Sequence, residues 1–91
     1  MKLNYNQLID LLQKVEREIR VHPWIRPGQA MFNILISTYP DFEYIRTTQF
    51  DPFYVNSKIS ACIAEVASQE AINQWMLQDL KLKFKKIKTN E

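Results

Sequence analysis

Pro27-Gly28-Gln29-Ala30-Met31-Phe32-Asn33-Ile34-Leu35-Ile36-Ser37-Thr38-Tyr39-Pro40 is an uncharged run closed by a proline at each end. Read as a helix, it starts well, because Pro27 has a fixed φ and no amide hydrogen to leave unpaired in the first turn. Ala30, Met31, Phe32, Ile34, Leu35 and Ile36 leave little room for a polar face, so such a helix would form the buried centre of the fold. A strand over Ile34–Tyr39 is the rival, since periodicity alone cannot assign a short apolar run that is partly β-branched. The wider chain favours the helix. Gly28 is its only glycine, and sheets joined by tight hairpins take most of their positive-φ residues from glycine.

Upstream of this run, Leu8, Leu12, Val15 and Ile19 recur at steps of four, three and four, with Leu11 beside them, the stripe of a helix that buries one face. Asn4 can cap it, Gln7 can reach back as in a capping box, and Leu3 with Leu8 hold the staple positions. Asp10 with Lys14 and Glu16 with Arg20 are acid-before-base pairs four apart, each worth about 0.3 kcal/mol on an exposed helix. The spacing predicts a helix over Asn4–Arg20, ended by His22-Pro23.

Downstream, Pro40-Asp41-Phe42-Glu43 suits a short third helix with Phe42 and Ile45 facing inward. Asp51-Pro52 reads as a turn, pinned to the core by Phe50, Phe53 and Tyr54. Asn56 or Ser57 would cap a fourth helix carrying Ile59, Cys62, Ile63 and Val66, and Ser68 offers the start of a last one. There Ile72, Met76, Leu80, Phe84 and Ile87 form the stripe. The expected fold class is all-α, a compact single-domain bundle of four or five helices over 1–91, with 68–91 as a basic C-terminal helix.

Hydrophobic residues make up 46% of the chain, enough for one core and against whole-chain disorder. Ninety-one residues leave room for no second core. The lone cysteine, Cys62, cannot form an intrachain disulfide, and the opening residues lack an apolar leader or span, so a cytoplasmic location is expected. A net charge of +2 gives only weak overall attraction to nucleic acid.

Groups able to do chemistry are few. His22, the only histidine, stands at a helix end, where a structural role outweighs that of a general base. Cys62 lies on an apolar helix side, where a thiol is inert packing before it is a nucleophile. One His and one Cys cannot supply four zinc ligands, so no metal and no cofactor is expected. Arg46 and Asp51 could meet in a turn, as a salt bridge holding the loop or, less favoured, as the pair of a small hydrolase or transferase. No catalytic residue is assigned.

Two surfaces outweigh these groups. Trp24, Tyr39, Tyr44, Tyr54 and Trp75 are more large aromatics than so small a core encloses easily, and such side chains recur at interfaces. Lys81, Lys83, Lys85, Lys86 and Lys88 surround Leu82, Phe84 and Ile87 as a basic amphipathic helix suited to an acidic protein, a nucleic-acid backbone or a membrane surface. A solvated helix tail is the favoured reading of that segment, because charge runs are cheap on a surface. The candidate partner-binding residues are Trp24, Arg26, Arg46, Asp51, Tyr54 and Trp75.

The stretch Arg26-Pro27-Gly28-Gln29-Ala30-Met31-Phe32-Asn33, then Ile45-Arg46-Thr47-Thr48 and Asp51-Pro52-Phe53-Tyr54, resembles a family of small, largely uncharacterised proteins encoded by bacteriophages and bacteria. The likeness covers roughly residues 8 to 66 and excludes the lysine-rich end. Two departures are visible: Pro27 stands where an aliphatic residue is common, and Thr47 where glycine is common, which bears on the arginine loop. The resemblance transfers no general activity, but it implies phage or prophage origin. Short phage proteins without a catalytic set often bind host machinery, an association by analogy. The leading expectation is therefore a non-enzymatic protein that binds a host protein, such as a defence nuclease or transcription machinery, and inhibits or redirects it. Nucleic acid is the alternative partner, and self-association is left open.

Overall fold

The uncharged run is helical. In the computed structural model, which describes residues 1–78, it forms α2 over Pro27–Thr38, with Pro27 in its first turn and no strand in its place. It follows α1, Tyr5–Val21, and precedes a 3-10 segment over Pro40–Ile45. A second 3-10 turn over Asn56–Lys58 leads into α3, Ile59–Val66, and a further helix, α4, is described over 69–78. The described residues are all-α, packed about one core.

Local signals explain α1. The Asn4 side chain accepts from the Gln7 amide at 2.9 Å and the Gln7 side chain accepts from the Asn4 amide at 2.9 Å, which completes the capping box. Lys14 pairs with Asp10 at 3.0 Å and Arg20 with Glu16 at 3.2 Å. The helix ends one residue beyond expectation, at Val21, with His22 as its C-cap. Leu8, Leu11 and Val15 are buried, and they meet Met31, Phe32 and Leu35 of α2 in the core. Asn33 and Ser37 of α2 are exposed and Ile34 and Ile36 only half-buried, so this helix is less enclosed than its composition suggests.

The third segment has the expected inward residues but a tighter winding. Phe42 and Ile45 are both buried and lie three apart, the spacing that a 3-10 helix brings into line on one face. A second correction concerns the fourth helix: neither Asn56 nor Ser57 caps it, and no side-chain cap hydrogen bond is present. The Asn56 side chain is engaged elsewhere, as described below. Helices α3 and α4 are separate, broken at Ala67, whose backbone is extended, and Ser68 opens the second by accepting from the Ala71 amide at 3.1 Å.

The chain's opening residues lock onto that break. Leu3 is fully buried and forms an isolated parallel bridge with Ala67, its amide donating to the Val66 carbonyl at 2.8 Å and its carbonyl accepting from Ser68 at 2.9 Å. Lys2 donates to the Glu65 carbonyl beside it, and Tyr44 donates to the Glu65 carboxylate at 2.6 Å.

Cys62 sits inside the core, and burial pushes its thiol up to about 12, with smaller contributions from the Asp51 and Glu65 carboxylates. The Glu65 hydrogen bond, then burial, raises the Tyr44 phenol to about 12 in the same way. Between the thiol's ordinary 9.0 and about 12 the folded protein holds a proton that the unfolded chain releases, so this stability is complete below pH 9 and is lost as pH rises through that window. Denaturation in urea should accordingly show a midpoint that falls from pH 9 to 12. The fall should be shallower in Cys62→Ala, which costs about 1 kcal/mol at pH 7 through the small void it leaves. An unchanged slope in that variant would refute the assignment to the thiol.

Candidate functional site

Gly28 organises a surface built from the start of α2 and the 51–56 loop. A Cβ at this position would stand 2.1 Å from the Pro52 carbonyl oxygen and 3.1 Å from Asn56 Oδ1, so only a bare Cα lets the 51–56 loop lie on the first turn of α2. The Gly28 amide, one of the donors a helix start leaves unpaired, donates to Asn56 Oδ1 at 2.9 Å. Beside it the Arg26 guanidinium donates to the Phe53 carbonyl at 3.0 Å. Phe53 in turn stands edge-on to Phe32 of α2, with ring centroids 5.9 Å apart.

The neighbouring 46–51 loop is held by Asp51. One carboxylate oxygen accepts from the Phe53 amide at 2.9 Å and the other from the Thr47 amide at 2.8 Å, so both ends of the loop are tied to one side chain. Thr47 has φ of 63°, the left-handed region that costs a β-branched residue about 1–2 kcal/mol. Thr48 Oγ1 closes the turn between the Ile45 carbonyl and the Phe50 amide.

Arg46 and Asp51 do not pair, contrary to the sequence expectation. Arg46 donates to Glu43 three residues earlier, and its guanidinium carbon lies 4.8 Å from the centroid of the Phe32 ring, which it covers. In the 3-10 segment residues three apart face the same way, which puts Glu43 within reach first. Asp51, with both oxygens on backbone amides, is a loop staple.

The structure brings Arg26, Arg46, Asp51 and Tyr54 into one connected surface and leaves the two tryptophans outside it. Tyr54 is 75% exposed, packs on Phe53 with centroids 4.7 Å apart, and has the Arg26 guanidinium carbon 5.8 Å from its own centroid. Trp24 is 78% exposed and touches the His22 ring edge-on at 4.9 Å. Trp75 is half-buried against the core, which makes it a packing residue on its described contacts. Lys81, Lys83, Lys85, Lys86 and Lys88 lie outside the described residues.

Sequence reasoning missed two members of this surface: Asn56 reads as a helix cap, and Lys58 is not singled out at all. Lys58 lines a cavity of about 260 Å³ with Thr47, Thr48, Asp51, Tyr54 and Val55. Among the described residues Lys2, Lys14, Arg20 and Arg46 each face a carboxylate, whereas Arg17, Arg26 and Lys58 face none. Also among them, no three His, Cys, Asp or Glu side chains cluster as a metal site, and no helix is long and apolar enough to cross a membrane.

No protein-family model matches the chain, and no curated protein or solved structure matches it either.

Two substitutions test this architecture in opposite directions. Thr47→Gly should raise stability by about 0.5–1 kcal/mol, the relief at positive φ less glycine's extra unfolded-state entropy. Gly28→Ala should lower it by about 1–2 kcal/mol, because a clash with backbone outweighs the helical gain of alanine. Chemical denaturation measures both, and a stabilising Gly28→Ala would contradict the close seating of Pro52.

Proposed function

We propose that this chain is a non-enzymatic interaction domain of the kind bacteriophages encode, which binds a host protein and inhibits or redirects it. The observation that carries the reading is the Arg26–Tyr54 surface: a mostly exposed tyrosine with an arginine set over its ring, on a loop fastened by Gly28 and Asp51. Arginine, tyrosine and tryptophan dominate the residues that carry binding energy at protein interfaces. A loop fixed before binding loses little conformational freedom on association. Trp24, more exposed still, adds a second large aromatic on the connection that leads to Arg26.

The engagement of both Asp51 oxygens by backbone amides supports a structural role over that of a proton-transfer group. The burial of Cys62 likewise supports packing over nucleophilic attack.

Tagged protein incubated with bacterial lysate, with and without nuclease, provides the test. A single stoichiometric host protein that survives nuclease is expected, and its capture should fall at least about tenfold in Trp24→Ala and Tyr54→Ala, the loss typical of an aromatic anchor. Trp75→Ala should act only through stability. Loss of every partner on nuclease treatment would transfer the function to nucleic-acid binding by the lysine-rich segment 81–88.

A further inference from the structure

The 51–58 surface narrows the chemistry of the partner. Arg26 and Lys58 are two of the three cations that form no ion pair with a carboxylate among the described residues; Arg26 stands 5.8 Å from the Tyr54 ring centroid, and Lys58 lines a cavity with Tyr54. Arg26 is fixed by its bond to the Phe53 carbonyl, which uses one of the five guanidinium donors and leaves the rest for a ligand. Lys58 borders the cavity of about 260 Å³ whose rim includes the Tyr54 ring and Val55, itself 41% exposed. The one carboxylate of that rim, Asp51, is turned to backbone amides.

We infer that this surface receives a protein segment that presents a carboxylate beside an apolar or aromatic side chain. The unpaired charges of Arg26 and Lys58 attract the carboxylate, and the apolar group lies on Tyr54 and Val55. A guanidinium held in place by a carbonyl and an aromatic ring is preorganised for such a planar acid. Nucleic acid fits less well: binders that depend on phosphate neutralise on the order of 6–10 of them, and this surface offers two unpaired cations. A bare phosphate chain also makes no use of Val55. The inference rests on the interaction-domain reading and specifies its partner.

The test is a ¹H–¹⁵N NMR titration of the full chain with a random copolymer of glutamate and tyrosine, and separately with oligothymidylate. With the copolymer, the resonances of Arg26, Tyr54, Val55 and Lys58 should shift. Lys58→Glu, which breaks no hydrogen bond or ion pair of the described residues, should weaken that binding about tenfold with melting temperature unchanged. Tyr54→Ala should weaken it comparably. The inference is overturned by shifts confined to residues 81–88, by no shifts at all, by binding undiminished in Lys58→Glu, or by oligothymidylate shifting the same residues more strongly. The two readings separate cleanly. A host protein captured from lysate by a chain that ignores the copolymer keeps the interaction domain and removes its acidic partner. Copolymer binding at Tyr54 with no host protein captured does the reverse.

Discussion

The contact between the Pro52 carbonyl and the Cα of Gly28 fixes how the two halves of the described fold meet. It brings the loop after the first 3-10 segment onto the start of α2 at a distance that no side chain would permit. Everything exposed on that side follows from it. Asn56 reaches the Gly28 amide only because the loop is seated, and Arg26 reaches the Phe53 carbonyl for the same reason. Phe53 can then stand against Phe32 and carry Tyr54 outward. A helix start that would otherwise spend its amide on water is satisfied by its own chain.

The arginines on this surface divide their work. Arg46 roofs a phenylalanine that is only 2% exposed, and its guanidinium, though half exposed, is paired with Glu43. Arg26 is held by a carbonyl, which positions the guanidinium without cancelling it. Equal residue types in one sequence pattern thus differ in what they can offer a partner. The exposed aromatics divide likewise: Tyr44 is tied by its hydroxyl to Glu65, whereas no hydrogen bond within the described residues holds the Tyr54 hydroxyl.

Elements set by neighbours in sequence were legible before the structure. The Asn4–Gln7 capping box, the ion pairs of α1, the proline start of α2 and the inward pair Phe42 and Ile45 depend on residues within one or two turns. What depended on distant partners was not. Asn56 looks like a helix cap until Gly28, 28 positions away, takes its side chain. Arg46 had two acids within reach, and only the 3-10 winding decides for Glu43. Arg26, Gly28, Phe32, Arg46, Asp51, Pro52, Phe53 and Tyr54, drawn from separate stretches of the sequence, meet in the fold. Their division into loop staples and exposed groups depends on which distant backbone each side chain meets. The left-handed backbone at Thr47 gives a physical reason for glycine to be favoured there.

The bridge between Leu3 and Ala67 bears on the order in which the fold forms. Lys2 and Glu65, which meet beside it, are 63 positions apart, and closing a loop of that length costs about 3.7 kcal/mol of chain entropy before any constant term. Leu3 gains its backbone partners only when Val66 and Ser68 are brought to it, so these hydrogen bonds cannot precede the meeting of two distant segments. The capping box of α1 needs only neighbours in sequence, whereas the bridge waits on a loop closure of this length, which places it late in folding.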